Sequence, residues 1–212
     1  IASSYQKLAR ASHHVTEIQV VKRTWGPEDA NYWNGRYRLP IELLEEYGIA
    51  PAASVRISTY EQEGKINPAD TVITIFHRSE NPLYVIQIGQ HVKAYRPLNP
   101  NRKGRYFGNT TGQDLFGMKQ LQEATTKPRY VVFTAGQKDA INATHYLHET
   151  RGLSTNAEGM YPEPWMVQEA MQTGAKLFLL YDNDATGAMW SQRIIERYPM
   201  ITLLKPYPDW PE

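Results

Sequence analysis

The chain has 212 residues, of which 41% are hydrophobic and 21% are charged, and its formal net charge is +1. This length and composition suit a core of one or two small domains, and the near-neutral charge excludes a chain that is basic throughout. The lack of cysteine excludes disulfides and cysteine-based zinc sites, and the lack of a long apolar run or signal peptide predicts a cytoplasmic protein without a membrane partner.

Weak patterns predict a mixed α+β organisation for the first half of the chain. Pro27 followed by two acidic residues is typical of a helix start, and apolar residues at helical spacing predict a helix over 41–47. Two apolar runs, at 72–76 and 83–88, predict strands. Residues 118–124 predict a short helix.

A basic segment follows these strands. Between residues 91 and 106 there are five Lys or Arg and no acidic residue, and Tyr95, Tyr106 and Phe107 are interleaved with them. Basic side chains can follow a phosphate backbone, and aromatic rings can stack on unpaired bases. The alternative is a solvated basic loop whose tyrosines belong to a sheet. The candidate nucleic-acid-binding residues are Lys93, Arg96, Arg102, Lys103 and Arg105.

The first acidic motif follows a predicted buried strand at 129–134 (RYVVFT). Gly136 supplies a tight turn, and a helix is predicted to follow it to about residue 149. Asp139 falls in the first turn of that helix, where the helix dipole favours an anion.

The second acidic motif follows another strand-length apolar run, at 176–181 (KLFLLY). Asp182 and Asp184 stand where this strand ends, and a helix at 188–198 and a strand at 200–204 are predicted after them. Oxygen ligands of this kind suit Mg²⁺ or Mn²⁺. The alternative is a solvated turn in which Asp184 caps the helix.

The order of these elements is β-α-β-α-β, with an acidic motif after each of the first two predicted strands. Ligands of open parallel sheets bind at the carboxyl ends of the strands. Both acidic motifs are therefore expected at the same edge of one sheet.

The two acidic motifs resemble those of the TOPRIM domain, the metal-binding fold of bacterial-type DNA primases, topoisomerases and some nucleases. The family's first motif is a strand, then Glu-Gly, then an Asp four residues after the Glu, and Ala135 stands at the Glu position. The second motif is Asp-x-Asp followed by a small residue and Gly. The matching residues are Gly136, Asp139, Asp182, Asp184 and Gly187.

The residues upstream are similar to those of bacterial, phage and mobile-element primases. The stretch 25–49 resembles the lead-in of phage and mobile-element proteins, "W-x-x-x-D-x-x-Y-W" followed by a leucine-containing helix. The basic segment resembles the one that precedes TOPRIM in primases. Its matching positions are Arg105, Tyr106, Phe107, Asn109, Phe116 and Gly117.

The resemblance implies an α/β chain, α+β overall. A TOPRIM-like parallel-sheet domain at 126–212, expected to be cut short at its C-terminus, follows a smaller basic α+β subdomain at 1–125. It implies Asp139, Asp182 and Asp184 as catalytic residues that hold Mg²⁺ or Mn²⁺, and it adds Asn109 and Lys138 to the binding candidates. The implied activity is primer synthesis by nucleotidyl transfer. The implied partners are single-stranded DNA, nucleoside triphosphates and a replicative helicase, in a bacterial cell or phage-infected host.

Ala135 can neither bind a metal nor act as a base. The alternative function is therefore a catalytically impaired TOPRIM module that binds nucleic acid or partner proteins in a replication or mobile-element complex. A TOPRIM nuclease is a third, weaker alternative. Glu158, in a later loop expected at the same edge, could supply the missing carboxylate, or it is an ordinary loop residue beside Gly159.

Overall fold

The computed structural model describes residues 14–61, 71–156 and 159–204. They form the mixed α+β fold that the sequence predicts, with one antiparallel and one parallel sheet. The antiparallel sheet contains β1 His14–Lys22, β2 Ile49–Glu61, β3 Thr71–Phe76, β4 Tyr84–Ile88, β5 His91–Tyr95 and β6 Tyr106–Gly108. The parallel sheet contains β7 Tyr130–Thr134, β8 Thr150–Ser154, β9 Lys176–Leu180 and β10 Thr202–Leu203.

The helices are short in the first half of the chain and longer between the parallel strands. They are α1 Pro27–Ala30, α2 Ile41–Glu46, α3 Met118–Gln122, α4 Gln137–Tyr146, α5 Pro164–Gln172 and α6 Ala185–Arg197. A π-helical turn follows α1 at Asn31–Gly35, and a 3₁₀ turn lies at Arg102–Gly104. No helix within the described ranges combines the length and the apolar character needed to cross a membrane.

The chain divides into two compact units. The first comprises Ile1–Asp29, Ala50–Ile86 and Val92–Asn109, and the second comprises Ala30–Ile49, Gln87–His91 and Thr110–Glu212. The predicted domain boundary at 125/126 lies inside the second unit and stays a prediction about domains.

The first unit is built on the antiparallel sheet, in the order β1-β2-β4-β5-β6 with β3 also paired to β2. Along β2, buried Val55 and Ile57 flank exposed Arg56, which is the alternation expected of a strand with one covered face. The core on that face consists of Ala52, Val55, Ile57, Ile75, Leu83, Val85 and Ala94.

The second unit is built on the parallel sheet, in the order β10-β9-β7-β8. The strands predicted at 129–134 and 176–181 are confirmed as β7 and β9, which are direct neighbours, with Thr134 paired to Leu180. From β7 the chain passes through α4 to β8 on one side, and from β9 it passes through α6 to β10 on the other. The connections leave in opposite directions, so the topological switch point lies between β7 and β9.

The predicted β-α-β-α-β order is incomplete, because β8 and α5 lie between the two acidic strands. The sequence of β8, TRGLS, has one large apolar residue, Leu153, so it lacks the run that marks β7 and β9. Gly152 explains part of this composition. A Cβ at this position would collide with the backbone oxygen of Ala140 in α4, so only glycine permits this close approach of helix and strand.

The outer edge of β8 is paired at its carboxyl end by the segment that precedes α3. The Phe116 nitrogen lies 3.0 Å from the Ser154 oxygen, and the Ser154 nitrogen lies 3.1 Å from the Phe116 oxygen. Gly117 adopts φ 87° and packs against the backbone oxygen of Gly152, where a Cβ would have no room.

Candidate functional site

Asp139 lies in the first turn of α4, directly after the carboxyl end of β7. Its carboxylate folds back over Gly136, and a Cβ on Gly136 would lie 2.8 Å from Asp139 Oδ2. Glycine at this position therefore leaves room for the carboxylate as well as forming the turn.

Asp182 and Asp184 lie after β9, on the other side of the switch point, and both are exposed. Asp184 is the N-cap of α6, and its Oδ1 accepts a hydrogen bond of 2.7 Å from the Gly187 nitrogen. The capping role predicted for Asp184 is thus confirmed, and it occupies one of the two carboxylate oxygens.

Electrostatics connect the two acidic motifs. Burial raises the pKa of Asp139 above its ordinary value, Lys138 opposes the rise, and the negative charge of Asp182 adds to it. The carboxylates of Asp139 and Asp182 therefore repel each other across the switch point. A bound divalent cation would relieve this repulsion.

The donor set fits Mg²⁺ or Mn²⁺ held by few protein ligands. No group of three or more His, Cys, Asp or Glu side chains within the described residues could hold a metal ion by itself. Mg²⁺ is commonly held by one or two carboxylates, with water and substrate phosphates completing its shell. Asp139 and Asp182 match that pattern, and the predicted set that includes Asp184 stays a prediction.

Buried polar side chains, which the sequence analysis did not identify, support this edge. Thr134 Oγ1 donates to the Gly136 oxygen at 3.0 Å and has the Leu153 oxygen at 3.2 Å. Gln137 is 5% exposed, with its Nε2 3.5 Å from the Thr155 oxygen. These contacts connect the residues that follow β7 with those of β8 and so orient the start of α4.

The two residues considered for the missing carboxylate differ in what the structure describes. Ala135 is half-buried and packs against the core of the second unit. Glu158 lies outside the described residues, so its predicted role stays a prediction.

In the first unit, Lys93 is the most unusual residue of the basic segment. It is 9% exposed in β5, and its ammonium lies 4.6 Å from the centre of the Tyr106 ring. Burial lowers its pKa to about 8. This lysine therefore contributes to the sheet as well as to the local positive charge.

Other residues of the basic segment hold the connection between β5 and β6. The Arg96 nitrogen donates to the Arg105 oxygen at 2.8 Å, and Arg105 Nε donates to the Asn99 oxygen at 2.9 Å. Asn109 Oδ1 accepts from the Val92 nitrogen at 2.8 Å. Arg105 and Asn109 thus have structural contacts of their own.

The remaining basic candidates differ in their exposure and in the unit to which they belong. The side chain of Arg102 is exposed, whereas that of Lys103 lies outside the described part of the structure. Lys138 belongs to the second unit and lies beside Asp139, with its ammonium over the ring of Tyr37. Among the described side chains of this segment's candidates, Arg102 therefore has the clearest access to solvent.

A row of aromatic rings crosses the antiparallel sheet of the first unit. Trp25 and Tyr84 are 6.3 Å apart, Tyr84 and Tyr95 are 6.4 Å apart, and Tyr95 and Tyr106 stack at 4.9 Å. Tyr106 is 46% exposed, so the row ends at the surface. The tyrosines belong to the sheet, and Tyr106 also offers ring surface to a planar ligand.

A buried ion pair in the first unit was missed by the sequence analysis. Asp29 is fully buried, and Arg23 donates to both of its oxygens, at 2.6 and 2.7 Å. Burial alone would raise the pKa of Asp29, but hydrogen bonds from Arg23 and from the Gly26 nitrogen bring it below its ordinary value. The aspartate of the "W-x-x-x-D" stretch therefore has a structural role.

Comparison with solved structures identifies the fold. A DnaG catalytic core matches this chain with a TM-score of 0.58 at 14% identity, over 87% of this chain and 68% of that chain. The zinc-binding and RNA polymerase domains of the Aquifex aeolicus primase match with a TM-score of 0.55 at 11% identity, over 87% of this chain and 51% of that chain. The chain therefore has the fold of primase catalytic cores, and likeness at this identity concerns the fold alone.

The sequence itself gives no such match. No protein-family model matches it, and no curated protein is significantly similar to it. The chain spans about half the length of the Aquifex protein that it matches.

Proposed function

We propose that this chain is the catalytic core of a DNA primase, which joins nucleotides into short primers on single-stranded DNA. One observation carries the proposal: Asp139 and Asp182 follow neighbouring parallel strands at a switch point, in a fold similar to primase cores. Open α/β sheets bind their ligands at such points.

Asp139 and Asp182 would hold Mg²⁺ or Mn²⁺. Asp184 is the third proposed ligand, through Oδ2, because its Oδ1 already caps α6. The bound metal would supply positive charge that stabilises the attacking and leaving oxygens of phosphoryl transfer. Gly136 leaves the space in which Asp139 turns towards this edge.

The basic segment of the first unit is the proposed contact to the DNA template. The exposed Arg102 is assigned to the phosphate backbone, and the exposed ring of Tyr106 to stacking on a base. The further assigned contacts are Lys93, Arg96, Lys103, Arg105 and Asn109. Nucleoside triphosphates are the proposed substrates, and a replicative helicase is a further proposed partner.

A second candidate function is a binding module without polymerising activity. Ala135 favours it, because its methyl group packs against the core where the TOPRIM family has a glutamate. Loss of a catalytic acid or base lowers a rate by about 10²–10⁴-fold. Such a chain would bind metal and DNA and extend primers very slowly.

A primer-synthesis assay tests the proposal. The full chain is incubated with single-stranded DNA, labelled nucleoside triphosphates and Mg²⁺ or Mn²⁺, and extension products are expected. The double variant Asp139→Asn/Asp182→Asn should yield none. Glu123→Gln is the matched control, because it also removes an acidic charge from the second unit but at the exposed position that follows α3.

The other outcomes separate the alternatives. DNA binding without products supports the binding module, and shortened DNA supports a nuclease. Products that persist at full yield in the double variant would exclude this edge as the catalytic centre.

A further inference from the structure

Two cationic side chains of the second unit lie over the Tyr37 ring, and a third, Arg38, follows Tyr37 in the chain, although no sequence pattern marked the three as a group. The Lys138 ammonium lies 4.4 Å from the centre of the Tyr37 ring and 3.4 Å from its hydroxyl oxygen. The Arg36 guanidinium carbon lies 5.5 Å from the centre of the same ring. Arg38 follows directly, and both arginines are exposed.

The segment that carries the two arginines is held firmly. Tyr146 Oη donates to the Tyr37 oxygen at 2.8 Å, and the Leu39 nitrogen donates to the Trp33 oxygen at 3.2 Å. Leu39 and Trp33 are almost fully buried. The backbone at Arg36 and Arg38 is therefore held by buried neighbours on both sides, and little backbone entropy would be lost when they bind a ligand.

Arg38 has a strained backbone. Its φ is 53°, in the left-handed region that arginine rarely adopts, and its nitrogen donates to the Asn34 oxygen at 2.9 Å. Glycine would adopt this conformation without steric conflict. An arginine at such a position motivates the hypothesis that its side chain has a function.

Among the described residues, none of the three cations forms a salt bridge, although the charge of Lys138 acts on that of neighbouring Asp139. Across residues 14–61, 71–156 and 159–204, no carboxylate forms an ion pair with Arg36, Arg38 or Lys138. Arg36 and Lys138 lie 5.5 and 4.4 Å from the centre of the same ring, so these two charges are close together, and Arg38 is adjacent in the chain. A compact cluster suits a triphosphate, whose charges are close together, better than a DNA strand, whose phosphates lie in an extended line.

Lys138 also connects this group to the acidic edge, by which we mean the edge of the parallel sheet that carries Asp139 and Asp182. It immediately precedes Asp139 and opposes the rise of that residue's pKa. We propose that Arg36, Arg38 and Lys138 bind the phosphates of a nucleoside triphosphate. The Tyr37 ring positions Arg36 and Lys138. The use of the nucleotide as a substrate rests on the proposed function, whereas the binding does not.

Calorimetry with ATP in the presence of EDTA tests the proposal on the full chain. Without metal, ATP cannot bind through a cation held by Asp139 and Asp182, so any binding reports on the cationic site. The parent should bind ATP and inorganic triphosphate. Arg36→Gln/Arg38→Gln and Lys138→Gln should each weaken both by about tenfold or more, as expected when charge-assisted hydrogen bonds are lost. Arg193→Gln is the matched control, since Arg193 also lies over a ring, that of Trp190, on α6.

Arg38→Gly separates binding from folding. Glycine removes the left-handed strain, so Tm should stay the same or rise while ATP affinity falls by about tenfold. A parent that does not bind ATP, or variants that bind it as tightly as the parent, would overturn the proposal. A loss of affinity for a single-stranded oligonucleotide with unchanged ATP affinity would also overturn it, because it assigns the cations to a strand.

The result is independent of primer synthesis. If the parent makes no primers but the variants lose ATP binding, the phosphate site stands and the proposed function fails. If the parent makes primers and the variants keep ATP binding, the phosphate site fails and the proposed function stands.

Discussion

In the first unit Asp29 is fully buried and held by two hydrogen bonds from Arg23, whereas in the second unit Asp182 and Asp184 are exposed where a strand ends. The first arrangement compensates a buried charge with an opposite one. In the second, the negative charge of Asp182 adds to the rise in the pKa of Asp139, so these carboxylates oppose folding slightly. The buried pair of Asp29 and Arg23 therefore stabilises the fold, whereas the carboxylates of Asp139 and Asp182 remain available to bind a cation.

The largest expected effect is on stability, from removal of the buried carboxylate. Asp29→Ala removes the two short hydrogen bonds of Arg23 and leaves it only the longer ion pair of 3.5 Å with the partly exposed Glu28, so it should lower the free energy of unfolding by about 3–5 kcal/mol. The double variant Arg23→Met/Asp29→Met should lose less than Asp29→Ala, because both charges of the buried pair are removed together and Glu28 is partly exposed. Urea denaturation at pH 7 measures both, and a loss below about 1 kcal/mol for Asp29→Ala would contradict a compensated pair.

The stability contribution of the Asp29–Arg23 pair should also depend on pH. The pKa of Asp29 is lower in the folded chain than in the unfolded chain, so its stabilising contribution is complete above the ordinary aspartate range. That contribution is lost only as the pH falls through the depressed folded pKa. The stability difference between the parent and the double variant should therefore shrink as the pH falls from the ordinary aspartate range to the depressed folded pKa.

The next effect concerns Lys93, a second buried charge of the first unit. Its pKa is about 8 in the folded chain, against an ordinary 10.5, so the unfolded chain holds the proton more tightly. Stability should rise with pH from about 8 to about 10.5, and below pH 8 the buried charge costs about 3 kcal/mol. The contact with the Tyr106 ring offsets part of this cost.

Lys93→Met should therefore stabilise the protein at pH 7 by up to about 3 kcal/mol, and the gain should disappear above pH 10.5. Urea midpoints of parent and variant across this pH range measure the difference. Lys119→Met, at an exposed helix position, is the control and should show no such pH dependence. A variant less stable than the parent at pH 7 would show that Lys93 is compensated.

A smaller effect is expected at the acidic edge, where ligand binding should change and stability should not. Asp182→Asn should weaken Mn²⁺ binding by about tenfold, which corresponds to roughly 1.4 kcal/mol, while Tm stays the same or rises because repulsion of Asp139 is removed. Calorimetry with Mn²⁺ and a thermal melt measure the two quantities. An unchanged Mn²⁺ affinity combined with a lowered Tm would show that Asp182 stabilises the fold, as Asp29 does, and does not bind the metal.

The smallest effect separates two arginines of the basic segment. Arg102→Gln should reduce the salt slope of log K for single-stranded DNA by about 0.7, with no change in Tm, because it removes one phosphate contact. Arg105→Gln should lower Tm, because Arg105 Nε holds the Asn99 oxygen. An Arg102→Gln variant with the parent's slope would remove Arg102 from the proposed interface.

The sequence predicted the parallel sheet well where strands are continuous apolar runs. Such runs mark β7 and β9, because strands covered on both faces need apolar side chains at nearly every position. The aspartates follow these strands directly, so topology alone placed them at one edge. β8 was not predicted, because Gly152 interrupts its apolar pattern. This glycine is required by the close approach of α4, a tertiary contact that cannot be recognised from the local sequence.

The first unit was harder to predict. The sequence did not predict β1 and β2, because apolar and polar residues alternate in them and Pro51 interrupts the pattern. It placed Asp29 in the first turn of a helix, which is correct, but the pairing with Arg23 depends on how the chain folds between them. For the same reason, the group around Tyr37 could not be predicted, because Lys138 is about a hundred residues away in sequence.

The antiparallel pairing between Phe116 and Ser154 also bears on self-association. β8 is the last strand of the parallel sheet on its side, and an unpaired strand edge invites pairing with a second molecule. The chain occupies the carboxyl end of this edge with its own backbone, and Gly117 lets the segment lie flat against Gly152. A bulky residue at position 117 would push the segment away and uncover the edge, so its consequence would be aggregation as well as lost stability.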